Sequence, residues 1–361
     1  MPHGRSGTDN MNTLSFFKDK RVLLTGHTGF KGAWLSLMLL RAGADVTGYA
    51  LAPASDEPSL FSLLGLECEM RSVYGDVRDL DHLLRVYRDT QPEIVLHLAA
   101  QPIVRESYRI PRETYETNVM GTVNLLECVR MSDCTRSVVN VTTDKVYENR
   151  EWVWGYREND PLDGFDPYSN SKSCSELVTH SYRSSFLKER GVAVSTARAG
   201  NVIGGGDFAK DRIIPDCVRA ALAGQEIVVR NPDSIRPFQH VLEPLAAYSL
   251  LAQRQYECPE LAEGYNIGPD HTDCVTTGML VGLFCNAWGE GLRWRVQRET
   301  NAPHEANFLK LDCTRFQSVF GWNPHWHIDE AVRRTADWSK VYRDGGDLRG
   351  CMFAQMDAFF G

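Results

Sequence analysis

The sequence has no apolar run close to the roughly 20 residues that a membrane-spanning helix needs, so it does not predict an integral membrane protein. It also lacks a stripe of basic residues, and its net charge of −8 argues against a nucleic-acid-binding protein. Residues 1–14 contain no apolar stretch of the kind found in signal peptides, and we expect them to form a disordered lead. What remains is a chain of 361 residues with 43% hydrophobic content, enough for one large or two modest globular domains.

The ten cysteines include no Cys-x-x-Cys pair, and the ten histidines show no spacing typical of metal ligands. Neither a zinc site nor a disulfide framework is therefore predicted, and we expect no metal ion. His325 and His327 are expected to make surface or partner contacts rather than to bind a metal. Single cysteines without partners are typical of reduced thiols, which predicts a cytoplasmic protein.

The first half of the chain alternates short β-rich runs with longer helical patterns. The runs lie at 21–25, 45–50, 93–99, 137–142 and 192–196. Apolar runs separated by helices are typical of buried parallel strands with helices on both faces. We therefore predict an α/β protein with a Rossmann-type doubly wound parallel sheet over residues 15–200. Glycine clusters and short strands predict a smaller C-terminal substrate-binding lobe over 201–236 and 263–361, with residues 237–262 returning to the large domain.

Three glycines follow the first predicted strand with the spacing Gly-x-x-Gly-x-x-Gly. Glycines at such a turn let the backbone approach a pyrophosphate, whose charge is favoured by the N-terminus of the following helix. This spacing is typical of short-chain dehydrogenase/reductase proteins. The predicted dinucleotide-binding residues at the turn are Gly26, Thr28, Gly29, Phe30, Lys31 and Gly32.

Two later segments extend the predicted cofactor site. The expected contacts are Asp76 and Val77 with the adenine, and Ala99, Ala100 and Gln101 with the nicotinamide ribose. An exposed turn residue is the alternative for Asp76. The second run ends at Leu51 without the acidic residue expected for NAD and without an arginine for the 2′-phosphate of NADP. We favour NAD and leave NADP as the alternative.

Tyr168 and Lys172 are four residues apart, so on a helix they share one face. A phenol has a pKa of about 10 and is a poor base at neutral pH. A neighbouring ammonium stabilises the phenolate, so we expect Lys172 to lower the pKa of Tyr168. The pair follows the predicted cofactor turn, on the helix after the strand at 137–142, which predicts a catalytic role. Lys172 is also expected to bind the nicotinamide ribose.

Thr143, Asp144 and Lys145 place a hydroxyl, a carboxylate and an amine at the end of a predicted strand. Thr143 takes the position at which these enzymes have a Ser or Thr that hydrogen-bonds the reacting sugar hydroxyl. An exposed charge pair is the alternative for Asp144 and Lys145. Epimerases and simple reductases need no such additional pair. It suits a reaction in which oxidation at C4 of a hexose acidifies the C5 proton and water is then eliminated.

Longer sequence motifs, spread over nearly the whole chain, resemble those of the nucleotide-sugar 4,6-dehydratases. This family belongs to the extended short-chain dehydrogenase/reductase superfamily. The motifs lie at 26–35, 98–102, 143–149, 152–160, 199–207 and 304–312. Most members that act on dTDP- or GDP-sugars have Asp-Glu where this chain has Asp144-Lys145, and this difference resembles the CDP-glucose branch. The resemblance implies NAD-dependent conversion of CDP-D-glucose to CDP-4-keto-6-deoxy-D-glucose, by C4 oxidation, loss of water across C5 and C6, and return of the hydride to C6.

The resemblance also implies the catalytic roles. Tyr168 would take the C4 hydroxyl proton, and Asp144 would protonate the departing C6 hydroxyl. Lys145 stands where related enzymes have the glutamate that removes the C5 proton, and it would either act as that base or stabilise the enolate. The family string leads us to expect Trp at the position of Phe238.

The smaller lobe is expected to hold the nucleotide diphosphate, because guanidinium groups bind phosphate bidentately. The candidates are Arg105, Asn201, Arg212, Arg230 and Arg236, with Arg236 the strongest and a structural role as the alternative for each arginine. Helices around 115–130 and 170–188 are expected to form a homodimer interface, alone or within a tetramer. Other readings are a 4,6-dehydratase or 4-epimerase acting on a UDP-, dTDP- or GDP-sugar, and a non-catalytic nucleotide sensor.

Overall fold

The structure, a computed structural model, describes residues 14–297 and 308–361. The strands in chain order are β1 (Arg21–Thr25), β2 (Asp45–Ala50), β3 (Arg71–Tyr74), β4 (Ile94–His97), β5 (Ser137–Val141), β6 (Ala193–Ala199), β7 (Val202–Ile203), β8 (Ile227–Val229), β9 (Ile235–Pro237), β10 (Gln239–His240), β11 (Gly264–Ile267), β12 (Cys274–Thr276) and β13 (Trp294–Val296). The helices are α1 (Phe30–Arg41), α2 (Leu60–Leu63), α3 (Leu80–Thr90), α4 (Val104–Ser107), α5 (Pro111–Tyr115), α6 (Gly121–Arg130), α7 (Pro167–Tyr182), α8 (Ile213–Leu222), α9 (Leu242–Glu257), α10 (Thr277–Trp288), α11 (Thr314–Phe320), α12 (Ile328–Arg343) and α13 (Leu348–Phe360). None of the helices within these ranges is long and apolar enough to cross a membrane.

Seven strands form one parallel sheet in the order β3-β2-β1-β4-β5-β6-β11. The strand order reverses at β1 and β4, which is where α/β sheets of this type bind ligands at their carboxyl ends. Consecutive strands are joined through helices, as parallel pairing requires. The predicted Rossmann-type doubly wound sheet is confirmed.

Alternate residues of the central strands pack on opposite faces of the sheet, as the twofold periodicity of a strand requires. One face packs against α1, α9 and α13, and the other against α3 and α6. Leu24, Leu96 and Val139 lie on the first face, and Leu23, Val95 and Val138 on the second. Burial on both faces explains why these strands are continuous apolar runs rather than alternating ones.

A second hydrophobic core lies in the smaller lobe and is built from α8, β8, α10 and α12. Its centre includes Cys217, Val229, Phe284 and Val332. Phe238, at the position where the family string has Trp, is buried in this core. Short strand pairs, β8 with β13 and β9 with β12, complete the lobe and face the carboxyl end of the large sheet.

Two segments depart from the predicted boundaries. β11 pairs with β6, placing Tyr265 opposite Ala197, so the segment assigned to the smaller lobe from residue 263 begins with a strand of the large sheet. The C-terminal helix α13 also packs into the large core through Met356 and Phe359. β11 has only four residues and no apolar run, which is why its parallel pairing gave no signal in the sequence. The predicted lead at 1–14 lies outside the described residues except for Leu14.

Candidate active site

The glycine turn joins β1 to α1 so closely that side chains are excluded. Gly26 has a φ of +76°, and a Cβ on it would lie 2.8 Å from the backbone nitrogen of Ala99. A Cβ on Gly32 would lie 2.1 Å from the carbonyl oxygen of Gly26. In the described chain, α1 begins at Phe30 with no side-chain cap and no acidic residue in its first turn. The first N–H groups of α1 are therefore available to an anion, as a dinucleotide pyrophosphate requires.

Lys31 lies in the first turn of α1, close enough to Lys172, Arg212 and Asp144 for their charges to act on it. Its ammonium is 5.9 Å from the centre of the Tyr248 ring. Burial, together with repulsion from Lys172 and Arg212, lowers the pKa of Lys31 to about 7, and the nearby Asp144 carboxylate opposes this change. A bound phosphate would favour the charged amine at this position, so Lys31 fits its predicted place in the cofactor site.

Asp76 and Val77 form the turn after β3. The Asp76 carboxylate pairs with Arg78, with 2.6 Å between Oδ2 and Nη2, and this hydrogen bond lowers the pKa of Asp76. The Val77 carbonyl accepts a hydrogen bond from Asn124 Nδ2 at 2.9 Å. The turn is thus held from two sides, and its contact with an adenine ring stays a prediction.

Ala99, Ala100 and Gln101 follow β4 at the crevice. The Gln101 N–H donates to Asn118 Oδ1 at 2.9 Å, and Asn118 Nδ2 donates to the Gln101 carbonyl at 3.1 Å. The same Asn118 amide donates to Ser171 Oγ at 2.9 Å. Asn118 therefore ties the predicted nicotinamide-ribose segment to α7, the helix that carries Tyr168 and Lys172.

The chain leaves β5 through a single helical turn that gathers Thr143, Asp144 and Lys145. The Thr143 hydroxyl donates to Asp144 Oδ1 at 3.0 Å. Lys145 Nζ donates to Asp144 Oδ1 and to Asn201 Oδ1, each at 3.3 Å. Asp144 is fully buried, and its Oδ2 has no hydrogen-bond partner among the described residues, whereas Lys145 is 27% exposed. The turn thus offers one carboxyl oxygen free to act on a ligand, beside an amine.

Tyr168 sits at the start of α7, which begins at Pro167 behind the capping carboxylate of Asp166. Burial raises the pKa of Tyr168 to about 12, against a hydrogen bond with Thr143 that lowers it, and the Asp144 charge raises it further. The expectation that a neighbouring ammonium lowers the pKa of Tyr168 is wrong. The desolvation of a buried phenol outweighs the stabilising contacts.

The position of Lys172 contributes to the raised pKa of Tyr168, because the Lys172 ammonium is bound by the backbone of β5. Its Nζ donates to the Val141 carbonyl at 3.0 Å, at the end of β5. Burial lowers the pKa of Lys172 to about 8, while the Glu176 carboxylate raises it. The ammonium is therefore anchored to the strand end one turn along the helix from Tyr168.

The predicted substrate residues lie at different distances from this centre. Arg212 pairs with Asp207 at 3.0 Å, and its charge acts on both Tyr168 and Lys31, which places it at the crevice. Arg230 pairs with Asp211 at 3.2 Å. The remaining three are Asn201, bound to Lys145, Arg236, buried on β9 with Nη1 donating to the Ile235 carbonyl, and Arg105 on α4.

Sequence reasoning missed several buried polar residues around α7. Asn118 is one, and Glu176, which accepts hydrogen bonds from two residues of β6, is another. The Tyr248 hydroxyl, buried near Lys31 and Tyr168, has no partner in the described part of the chain. The signal available was the helical spacing of Glu176 from Lys172, which places both on one face of α7.

Comparison with known proteins adds to this geometry. The family model described as GDP-mannose 4,6 dehydratase matches residues 23–335. A CDP-glucose 4,6-dehydratase from Salmonella typhimurium is 50% identical over 343 residues, which are 93% of this chain and 95% of that protein.

Solved structures agree in fold. The dTDP-glucose 4,6-dehydratase from Bacillus anthracis in complex with NAD has a TM-score of 0.75 at 21% identity, covering 91% of this chain and 98% of its own. The UDP-glucose 4-epimerase from Thermus thermophilus in complex with NAD has a TM-score of 0.77 at 24% identity, covering 89% and 99%. A dehydratase and an epimerase match equally well, so the fold by itself does not select the reaction.

Proposed function

The chain belongs to the GDP-mannose 4,6 dehydratase family, and we propose that it catalyses the NAD-dependent conversion of CDP-D-glucose to CDP-4-keto-6-deoxy-D-glucose. It is an enzyme that eliminates water, a lyase. The observation that carries this proposal is the turn after β5, where the free Oδ2 of Asp144 and the amine of Lys145 lie beside the Thr143–Tyr168 hydrogen bond. C4 epimerisation needs only a group that exchanges the C4 hydroxyl proton, whereas elimination also needs groups that serve C5 and C6.

The cofactor is NAD. Its diphosphate would be held by the N–H groups at the start of α1, and its ribose by Lys172 and the segment Ala99–Gln101. The narrow Gly26–Gly32 crossing and the uncapped helix N-terminus fit a dinucleotide. When bound, NAD supplies the acceptor for the C4 hydride and the donor that returns it to C6.

Tyr168 and Thr143 serve the C4 hydroxyl. Tyr168 accepts the hydroxyl proton, and its hydrogen bond with Thr143 aligns the phenol with the turn. Because burial raises the pKa of Tyr168 to about 12, the phenol is neutral at pH 7, and it must first release its own proton to solvent before it can take the proton from O4. The Arg212 charge, which lowers the pKa of Tyr168, stabilises the phenolate that forms, and the Lys172 ammonium at the end of β5 is placed to hold the nicotinamide ribose.

Asp144 and Lys145 serve the elimination. Oδ2 of Asp144 is the free carboxyl oxygen of the turn, and we assign to it the proton that leaves with the C6 oxygen as water. Oδ2 takes the C5 proton and passes it to the departing C6 oxygen. Lys145 Nζ donates to two acceptors, which favours an ammonium that stabilises the enolate and later gives a proton to C5. The O4 proton taken by Tyr168 then restores this ammonium along Thr143 and Asp144 Oδ1. Two protons leave the sugar, from O4 and C5, and two are used, one in water and one at C5. The reaction therefore consumes no external acid.

The choice of CDP rests on the sequence more than on the fold. The relative named CDP-glucose 4,6-dehydratase is 50% identical, whereas a dTDP-glucose 4,6-dehydratase from Xanthomonas campestris is 26% identical. Arg212, at the crevice beside Tyr168, and Arg236, on β9, are the proposed diphosphate ligands. The pairing of Arg212 with Asp207 would hold the guanidinium in place before the substrate arrives.

We further propose a homodimer in which α6, α7 and the same elements of a second copy pack together. Several apolar side chains near these helices are exposed: Leu177 (57%), Met120 (49%), Phe186 (46%) and Tyr108 (40%). Such a patch is typical of an interaction surface. All ten cysteines are free, which supports a reducing compartment such as the cytoplasm.

The experiment is to supply the purified protein with NAD and CDP-glucose, dTDP-glucose, UDP-glucose or GDP-mannose, and to follow formation of the 4-keto sugar. We expect the highest kcat/KM with CDP-glucose. A higher value with another nucleotide would contradict the substrate, and formation of a C4 epimer would contradict the reaction.

A further inference from the structure

The catalytic helix is attached to the end of β5 by a ladder of buried polar contacts. Asn140 Nδ2 donates to Ser175 Oγ at 2.9 Å and to Thr179 Oγ1 at 2.8 Å. Lys172 Nζ donates to the Val141 carbonyl at 3.0 Å. Consecutive residues of β5 are thus bound to α7, and the strand then runs directly into the turn that holds Asp144.

Glu176 forms the contact closest to the active site. It lies one helical turn after Lys172, and its carboxylate accepts hydrogen bonds from three side chains in two segments of the chain. Thr142 Oγ1 donates to one oxygen, while Thr196 Oγ1 at 2.6 Å and Arg198 Nη2 at 2.8 Å donate to the other. Thr142 immediately precedes Thr143, so the Glu176 carboxylate lies one residue from the catalytic turn.

Arg198 carries the connection to the far end of that turn. Its Nη1 donates to the Tyr147 hydroxyl at 2.8 Å, and Tyr147 directly follows the turn. Ser173, also on α7, donates to the Val146 carbonyl at 2.7 Å. The turn is therefore held at its beginning through Thr142 and at its end through Val146 and Tyr147, in each case by α7 or by the side chain paired with it.

The pair is almost completely buried, with 3% of the Glu176 side chain and 6% of the Arg198 side chain exposed. A buried ion pair gives little net stability, because removing two charges from water costs about as much as their attraction returns. What such a pair does provide is a defined geometry, since both groups must keep their partners. This favours a role in alignment over a role in stability.

We propose that Glu176 and Arg198 are positioning residues for the dehydration, holding the helix of Tyr168 and Lys172 in fixed register with the Thr143–Lys145 turn. The proposal rests on the proposed function for its catalytic readout. It deepens that function, because the elimination requires Asp144 and Lys145 to act on the sugar that Tyr168 oxidises.

The same carboxylate has an electrostatic consequence for Lys172. Among the described residues, the charged and titratable groups coupled to this ammonium are Glu176 on α7, His97 at the end of β4, and Lys31 on α1. Burial lowers the pKa of Lys172 to about 8 and the Glu176 charge opposes that change. The ammonium is needed for activity, so activity is present below this pKa and is lost as the pH rises through it. Loss of the Glu176 charge should move this alkaline limb to lower pH.

The first test is Glu176→Gln, which keeps the shape and removes the charge. We expect kcat to fall about tenfold or more, with KM and NAD affinity within about twofold, and the alkaline limb of kcat/KM to move to lower pH. Arg198→Lys should retain more activity than Arg198→Met. An unchanged kcat with an unmoved alkaline limb would overturn the proposal.

A matched pair separates positioning from stability. Thr142→Val and Thr196→Val each delete one hydroxyl donor to the same carboxylate, but only Thr142 adjoins the catalytic turn. We expect Thr142→Val to lower kcat several-fold more than Thr196→Val at a similar loss of melting temperature. Equal effects of the two threonine variants on kcat would overturn the proposal. If Glu176→Gln does not fold, the comparison of these two variants tests the proposal in its place.

A readout independent of the substrate distinguishes failure of the proposal from failure of the proposed function. The titration of Lys172, which is buried, can be followed by NMR of protein with ¹³C-labelled lysine across the pH range. Glu176→Gln should lower the midpoint for Lys172 even if CDP-glucose is not the substrate. An unchanged midpoint would remove the electrostatic role, whatever the protein acts on.

Discussion

At the residue scale, the asymmetry of the Asp144 carboxylate distinguishes this site from that of a simple oxidoreductase. Oδ1 accepts from Thr143 and Lys145, while Oδ2 has no partner within the described chain and lies where a Cβ on Gly200 would be 3.0 Å away. A buried polar atom without a partner costs free energy, so one is expected mainly where a ligand completes the hydrogen bonding.

Asp144→Asn should slow product formation by about 10²- to 10³-fold, because the amide cannot deliver a proton to the C6 oxygen. Oxidation at C4 should persist, seen as near-ultraviolet absorbance of reduced nicotinamide when CDP-glucose is added. Asp163→Asn, in the exposed loop before α7, is the control and should keep normal turnover. Normal turnover of Asp144→Asn would show that another group is the acid.

Lys145 can be tested by separating charge from basicity. Because Nζ donates to two acceptors, we expect the positive charge to matter, so Lys145→Arg should retain about tenfold more activity than Lys145→Gln. Solvent deuterium incorporation at C5 should follow the same order. If Arg and Gln variants are equally inactive and neither exchanges C5, Lys145 is the base that removes the C5 proton.

At the scale of elements, the glycine turn shows how the backbone crossing of β1 and α1 depends on missing side chains. Gly32→Ala would place Cβ against a backbone oxygen that cannot move aside, and should cost about 1–3 kcal/mol of unfolding free energy in urea titrations. Gly282→Ala, in α10 with no described atom within 4 Å of its Cβ, is the control and should be neutral or slightly stabilising.

Gly29→Ala distinguishes packing from cofactor binding at the same turn. Its φ is −77°, and its Cβ would meet only the Gly26 carbonyl oxygen at 3.5 Å, so the fold should tolerate it. We expect near-normal stability with weaker NAD binding, measured by calorimetry, because the pyrophosphate must approach this backbone. Unchanged NAD affinity would place the diphosphate elsewhere.

The strands and helices of the cofactor domain were predictable because each buried strand is a continuous apolar run and the glycine turn has a fixed spacing. β11 was not, because Gly264–Ile267 is short and joins the sheet only through its pairing with β6. The residues proposed as catalytic were selected by residue type and spacing, yet the raised pKa of Tyr168 depends on burial that no local pattern records. Glu176 was missed for a similar reason, since its partners lie on strands distant in sequence.

At the scale of the whole molecule, the exposed apolar side chains near α6 and α7 predict a second copy. Leu177→Arg should convert a dimer to a monomer in sedimentation experiments, because a charge would be buried without a partner. Met279→Arg, an equally exposed apolar position on α10 in the smaller lobe, is the control and should leave the mass unchanged. Dissociation by the control alone would move the interface to that lobe.

The central claim concerns both lobes: the large sheet would hold NAD, and the smaller lobe would hold the nucleotide of the substrate. The sugar would then lie between Tyr168 and Asp144. The most direct test is to convert CDP-D-glucose deuterated at C4 and to locate the label in the product. We expect one deuterium at C6 of a 4-keto-6-deoxy sugar, because the hydride taken from C4 returns to C6 of the same sugar molecule. Deuterium back at C4 of an epimer, or retained only on the released cofactor, would contradict it.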